Sequence, residues 1–331
     1  MAPLPAGEKG KDIMLQLALI ERVRSLLLSL VLAAASVGTV HAEPIRVNYV
    51  PTTDGLTLFI ALDQGFFKKR GLDVTASMAP NPSVMISSIA AGSSDIGHTV
   101  FIPVLAAHQA GIQMAVIAGA STFPAVQPPV VGVLAGKDTG IRNPKDLEGK
   151  TVGVVGLQSY HQAMVQRWMK ENGADYTKTR FVEVPFPQMQ DLLKSKSVHA
   201  IVSVDPFYSK MIREGDGYDF GDFVATMPDN VPIVVFVSSR AWAEKNPDKV
   251  EAFRAALVEA GEFLKKNEAE ARKSLAKYTK LPDAVIANAR WGNFQPNLTP
   301  EKIQYWSNMM QEQGLLKSAI SGAELLPRAN K

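Results

Sequence analysis

From Ile45 onward the chain alternates short β-branched runs with longer stretches whose apolar residues recur near helical spacing. IRVNYV (45–50), LDVTAS (72–77) and QMAVIAGA (113–120) predict strands. TTDGLTLFIALDQGFF and FIPVLAAHQA predict the helices that follow them. Gly71 closes one helix and Gly92 another, and Asn81 before Pro82 reads as a cap with a first-turn proline. Strands and helices alternating at this interval predict a mainly parallel sheet covered on both faces.

The pattern then repeats. Residues 130–140 form a new extended run, and TVGVVG opens a second series: helix 159–172, strand 180–185, helix 187–195, strand 198–204 and a helix from Pro206. VPIVVFVSSR (231–240) is another strand, and the remainder is helical. Two α/β series joined by two extended runs predict two lobes and a hinge, with crossings near 125–135 and 232–240. The expected division is 43–130 with 236–331 in lobe 1 and 131–235 in lobe 2, the C-terminal helices packing on lobe 1. Ligands of open parallel sheets sit beyond the carboxyl ends of the strands, so the residues just after each strand carry the information.

Residues 1–42 read as a leader. Arg22 and Arg24 precede the apolar run SLLLSLVLAAASVG (25–38), and VHA (40–42) offers small residues for cleavage after Ala42. The run is short for a membrane span. A soluble, periplasmic chain, monomeric, is expected. Residues 1–42 hold 4 Lys and Arg against 3 Asp and Glu, so their removal leaves a net charge of +2 where the whole chain has +3. That balance argues against nucleic acid as a partner. There is no cysteine, which removes zinc–thiolate sites, thiol catalysis and a lipid-modified terminal cysteine, and a core of this size needs no disulfides.

Several blocks resemble a known family. LTLFIALDQGFFKKRGLDVT (56–75) resembles the opening of periplasmic solute-binding proteins of the sulfonate/nitrate/taurine and thiamine-pyrimidine (NMT1-like) type. SIAAGSSDIGHT (88–99), AGIQMAVIAGAS (110–121), IRNPKDLEGKTVGVVG (141–156) and WAEKNPDKVEAFRAAL (242–257) resemble later blocks in the same order. The resemblance covers about residues 45–315. It implies an α/β, two-lobed type II periplasmic binding fold that closes on a small ligand and presents it to the membrane permease of an ABC importer. Some relatives of the pyrimidine branch are enzymes with a cysteine-rich motif, which a chain without cysteine cannot carry. No enzymatic activity and no cofactor or metal is expected.

Each candidate residue has a second, purely structural role to weigh. Thr52, Thr53 and Asp54 follow the first strand and can bind a ligand or cap the next helix. His98 and Thr99 follow SDIG, a position that lines the cleft in the resembled family; a loop histidine held by its own contacts is the alternative. Ser121 and Thr122 follow the strand 113–120. VVGLQSYHQ (154–162) places Gln158, Ser159, Tyr160 and His161 at the start of helix 159–172. Ser159 also suits an N-cap. His161 precedes the stripe Met164, Val165, Trp168 and Met169, which favours packing. Asp205 before Pro206 suits a cap, or can accept a hydrogen bond from a ligand amine or ring N–H. Phe207, Tyr208, Phe101 and Phe123 are candidate stacking rings. No lysine or arginine stands at a predicted strand end, which favours an organic, aromatic or heterocyclic ligand over a simple inorganic anion.

A hydrolase using Ser159 and His161 is the competing reading. It fails on spacing: residues two apart on a helix do not face each other, and the G-x-S-x-G elbow lacks its second glycine. A metal protein is disfavoured because His98, His108, His161 and His199 form no close pair in sequence. GVVGLQS does not supply a phosphate loop.

Overall fold

Strand β1 (Ile45–Tyr49) buries alternate residues, and the chain builds outward from it. The computed structural model describes residues 43–122, 129–157, 159–221, 223–224, 227–228 and 231–327. The leader expected at 1–42, Phe123 and Gln158 lie outside the described residues. After β1 come α1 (Leu56–Asp63), β2 (Val74–Met78), α2 (Pro82–Ala90), β3 (Ile96–Val100), α3 (Phe101–Gln109) and β4 (Met114–Thr122). The second series runs β5 (Val131–Gly136), β6 (Thr151–Val154), α4 (Tyr160–Glu171), β7 (Arg180–Glu183), α5 (Met189–Lys194), β8 (Ala200–Val204), α6 (Phe207–Arg213) and β9 (Gly217–Gly221). The chain then returns through β10 (Pro232–Ser239). It finishes with α7 (Arg240–Lys245), α8 (Pro247–Leu264), α9 (Glu268–Thr279), α10 (Asp283–Ala287), β11 (Asn293–Phe294), α11 (Pro300–Glu312) and α12 (Gly322–Leu325).

The strands form two sheets. One has six strands in the order β11-β4-β10-β3-β1-β2, the other five in the order β7-β6-β8-β5-β9. In the first, β1 pairs in parallel with β2 and β3, whereas β10 runs antiparallel between β3 and β4. In the second, β6 pairs in parallel with β7 and β8, whereas β5 runs antiparallel to β8 and β9. Both sheets are therefore mixed rather than simply parallel. The first sheet carries two reversed strands, β10 and β11, and the second one, β5; β5 and β10 are the strands by which the chain arrives from the other sheet.

Local chemistry explains most boundaries. Asn81 accepts from the Val84 N–H (3.2 Å) and caps α2. Asn143 and Asp146 form a reciprocal capping box on the turn Pro144–Leu147. Gly71 takes φ 72° where the turn after α1 closes, the left-handed region that favours glycine. Strands β3, β4 and β8 are buried along their whole length, as strands covered on both faces must be. The Asp205–Pro206 peptide is cis, and α6 begins one residue beyond the proline, so Pro206 is not the first-turn proline the sequence suggests.

The C-terminal helices cover the first sheet. Phe67 stacks on Phe253 of α8 at 5.0 Å, and Phe253 meets Phe236 of β10 edge-on at 5.4 Å. The Arg254 guanidinium donates twice to the Ile117 carbonyl, at 3.1 and 2.8 Å. Helix α11 reaches further. Trp306 stacks on Phe101 of α3 at 6.0 Å and meets Tyr160 of α4 edge-on at 5.3 Å.

Candidate functional site

The carboxyl ends of β1, β3 and β4 converge on one buried carboxylate. Asp54 lies on the turn after β1 and is only 6% exposed. The Ser121 hydroxyl, at the end of β4, donates to Asp54 Oδ1 at 2.6 Å, and the Thr52 hydroxyl donates to Oδ2 at 3.3 Å. These bonds favour the charged form, but burial opposes it and wins, with Asp205 adding to the rise. The carboxyl is pushed up to about 6. Neither Thr52 nor Thr53 caps a helix through its side chain. Thr53 instead donates to the Asp205 carbonyl at 3.4 Å, joining the turn after β1 to the end of β8.

Two histidines face each other's sheet. His98 stands on β3 and tilts against Phe236 at 5.1 Å. His161 stands in the first turn of α4 and meets Phe186 edge-on at 5.6 Å. They are 2% and 5% exposed. Neither ring nitrogen of His161 has a hydrogen-bond partner, and the His98 ring has only the Asp54 backbone beside it. Burial lowers His98 to about 4, against a smaller opposing effect of the Asp54 backbone, and lowers His161 to about 3. Both rings are neutral at neutral pH, and each keeps one N–H donor and one acceptor nitrogen.

A single cavity collects these groups. It is lined from the first sheet by Val50, Thr52, Asp54, His98, Thr99, Val100, Ile233 and Val234, and from the second by Tyr160, His161, Phe186 and Val204. It holds about 390 Å³ of empty space, part of it open to solvent. This slot has mostly apolar walls and a few polar groups, the usual make-up of a small-molecule site.

Six residues singled out in the sequence line this slot: Thr52, Asp54, His98, Thr99, Tyr160 and His161. Others stand behind it. Ser121 holds Asp54, and Thr53 reaches Asp205. Ser159 accepts from the Gln162 N–H at 3.4 Å and caps α4. His161 both packs and lines the slot, where the sequence leaves packing and ligand contact open. Phe101 stacks on Trp306, and Phe207 on Phe186 at 5.7 Å, so the aromatic wall is Phe186 and Tyr160 rather than Phe101 or Phe207. Phe186 lies three residues beyond β7, near a strand end that the sequence pattern reveals; Ile233 and Val234 begin a reversed strand, which that pattern hides.

Asp205 has two roles. Its Oδ1 accepts from the Ser209 N–H at 3.0 Å, capping α6, and its Oδ2 lies 3.6 Å from Arg290 Nε. Arg290 also donates to the Pro129 carbonyl at 2.5 Å and to the Ser209 hydroxyl at 3.3 Å. Burial raises the Asp205 carboxyl despite this cation. Arg290 escaped a search of strand ends because it arrives from the segment after α10. Among the described residues, no group of three or more acidic or histidine side chains is placed to hold a metal ion.

The family model for NMT1-like proteins matches residues 38–280. A 4-amino-5-hydroxymethyl-2-methylpyrimidine phosphate synthase of Saccharomyces cerevisiae is 25% identical over 267 residues, 76% of this chain and 71% of the relative. A formylaminopyrimidine-binding protein of Halalkalibacterium halodurans is 22% identical over 230 residues, 69% of this chain and 67% of the relative. The alkanesulfonate-binding protein of Xanthomonas axonopodis pv. citri, solved with MOPS bound, superposes with a TM-score of 0.73 at 21% identity, over 87% of this chain and all of that one. The fold is that of periplasmic solute-binding proteins, and the chain belongs to the NMT1-like family.

Proposed function

We propose that the protein is the periplasmic solute-binding subunit of an ABC importer, and that it closes on a small organic ligand in the slot between the two sheets. One observation carries this reading: residues from both sheets wall a single slot in which the buried His161 presents unpartnered ring nitrogens. A buried polar group without a partner is costly, and a ligand that bonds these nitrogens removes that cost only when the lobes are together. Closure then follows from differential affinity, since a ligand shifts a two-state equilibrium only as far as it prefers one state.

The moving bodies are taken as 43–130 with 232–331, and 131–231, which shifts the expected boundary at 235/236, with the reversed strands β5 and β10 as the ends of the two hinge segments. All of β10 belongs to the first sheet, so Pro232–Val235 is assigned to the first body. Export through the leader at 1–42 places the protein where a permease receives the ligand. A synthase reading has support in the yeast relative's name. It is not adopted, because the chain has no cysteine and Ser159 serves as a helix cap rather than facing a base.

A thermal-shift screen of sulfonates, aromatic acids, pyrimidines and amino compounds tests this. A ligand bound only by the native state at 100 times its Kd adds about 2.7 kcal/mol of stability. The expected result is a rise in melting temperature for one chemical class, absent in His161→Trp, which fills the slot. If no class shifts the wild type while ester hydrolysis is measured, the reading is wrong.

A further inference from the structure

The charges around the slot discriminate between ligands more sharply than its volume does. Among the described residues, its lining contains one carboxylate, Asp54, and no lysine or arginine. Arg290, on the far side of Asp205, points its guanidinium at Asp205, Pro129 and Ser209. Both slot histidines are buried among aromatic and aliphatic side chains, without a neighbouring carboxylate bonded to either ring.

From this arrangement we infer that the slot takes a planar aromatic solute whose polar end donates hydrogen bonds, as an amidine, amine or amide, and rejects one that ends in a sulfonate or carboxylate. The inference rests on the solute-binding reading above and deepens it. Asp54 accepts one bond on each oxygen, from Ser121 and Thr52. An ionised carboxylate has about four acceptor positions, so N–H donors from a ligand have places to go. An anionic head group meets the Asp54 charge instead, with only neutral imidazoles to offset it. The rings of Tyr160 and Phe186 in its wall suit a planar ring.

The titratable groups facing Asp54 are His98 from its own sheet, and His161, Tyr160 and Asp205 from the other, with Arg290 behind Asp205. As pH falls through about 6, Asp54 gains its proton and loses the charge that attracts a cationic head. Protonated histidines at still lower pH repel the same head. Both effects weaken a cationic ligand in acid and strengthen an anionic one.

Isothermal titration of the chain from residue 43 onward with benzamidine, benzamide, benzoate and benzenesulfonate holds the ring constant and varies the head. Benzamidine is expected to bind at least tenfold more tightly than either anion at pH 7.5. Its affinity falls about tenfold at pH 5, where the amidinium keeps its charge and Asp54 does not. Asp54→Asn removes the preference for benzamidine over benzamide; should that variant fail to fold, the pH arm on the wild type still decides. Tighter binding of benzoate or benzenesulfonate overturns the inference and leaves the solute-binding reading intact. Binding of none of the four also overturns it, and the solute-binding reading then stands or falls on the broad screen alone.

Discussion

The Trp306 indole N–H donates to the Pro232 carbonyl at 2.6 Å, tying α11 to the first residue of the strand by which the chain re-enters the first sheet. The same ring touches Phe101 on one side and Tyr160 on the other. One side chain therefore contacts helices packed on both sheets and the start of β10. A little further along, Arg167 of α4 donates to the Tyr305 hydroxyl at 3.3 Å, adding a second link between α4 and α11.

Trp306→Phe keeps an aromatic ring but removes the donor. Trp306 is 1% exposed, so the Pro232 carbonyl loses its partner where water cannot replace it. A loss of about 1–3 kcal/mol is expected, read as a lower urea midpoint with unchanged slope. An unchanged midpoint shows that the bond contributes nothing to the fold.

Asp54→Asn separates the needs of the fold from those of the ligand. The folded carboxyl sits at about 6 against an ordinary 3.8, so the folded chain holds this proton more tightly than the unfolded one. Its contribution to stability is best in acid and declines as pH rises from about 4 to 6. The amide variant escapes that decline. Its stability relative to wild type is expected to improve by about 2 kcal/mol between pH 4.5 and pH 8, measured by urea unfolding at both pH values. Parallel behaviour at the two pH values contradicts the raised carboxyl.

The histidines have the opposite sign. His161 falls to about 3 and His98 to about 4 from an ordinary 6.5, so the unfolded chain takes up these protons first. Their full stability is present above pH 6.5 and is lost as pH falls towards 4. For His98 alone the limit is on the order of 3 kcal/mol. His161→Phe should therefore gain on the wild type steadily as pH drops from 7 to 4.5. Unfolding curves that keep a constant separation over that range rule out a neutral, buried His161.

Two glycines offer a contrast. A Cβ on Gly119 of β4 would lie 2.0 Å from the Gln295 carbonyl oxygen, whereas one on Gly261 of α8 would meet nothing nearer than Phe294 Cβ at 4.0 Å. Gly119→Ala must push away the segment around β11 and is expected to cost about 1–3 kcal/mol. Gly261→Ala lies in a helix interior with room around it and should stabilise by about 0.5–1 kcal/mol. Equal effects at the two sites contradict the close approach at Gly119.

These cases show where the sequence was legible. Thr52, Asp54, His98, Thr99 and Ser121 stand out in the sequence because a strand's carboxyl end is a position the local pattern reveals, although His98 and Thr99 lie within β3 and Ser121 within β4. Strands β9 and β11 were not read as strands. GYDFG has glycine at both ends, and Asn293–Phe294 is two residues long, paired only through tertiary contact with β4. Arg290 and Trp306 approach the site from more than 80 residues after β8, on segments whose own periodicity says only that they are helical or turning. The reversal of β5 and β10 was also hidden, since a buried apolar run has the same composition in either direction. Gly119 gave no sign that Gln295 would press against it.

Closure of the two lobes on a solute is open to direct measurement, because a chain with no cysteine accepts spin labels only where they are placed. Asn81 at the start of α2 donates to Glu183 at the end of β7 at 3.3 Å, so these two positions report the gap between the sheets' mouths. Pulsed electron–electron resonance on Asn81→Cys/Glu183→Cys, with and without a solute that raises the melting temperature, reads the distance distribution. A broad distribution that collapses to its short limit when the solute saturates is the expected result. A distribution the solute leaves unchanged contradicts closure, and with it binding in the slot between the sheets.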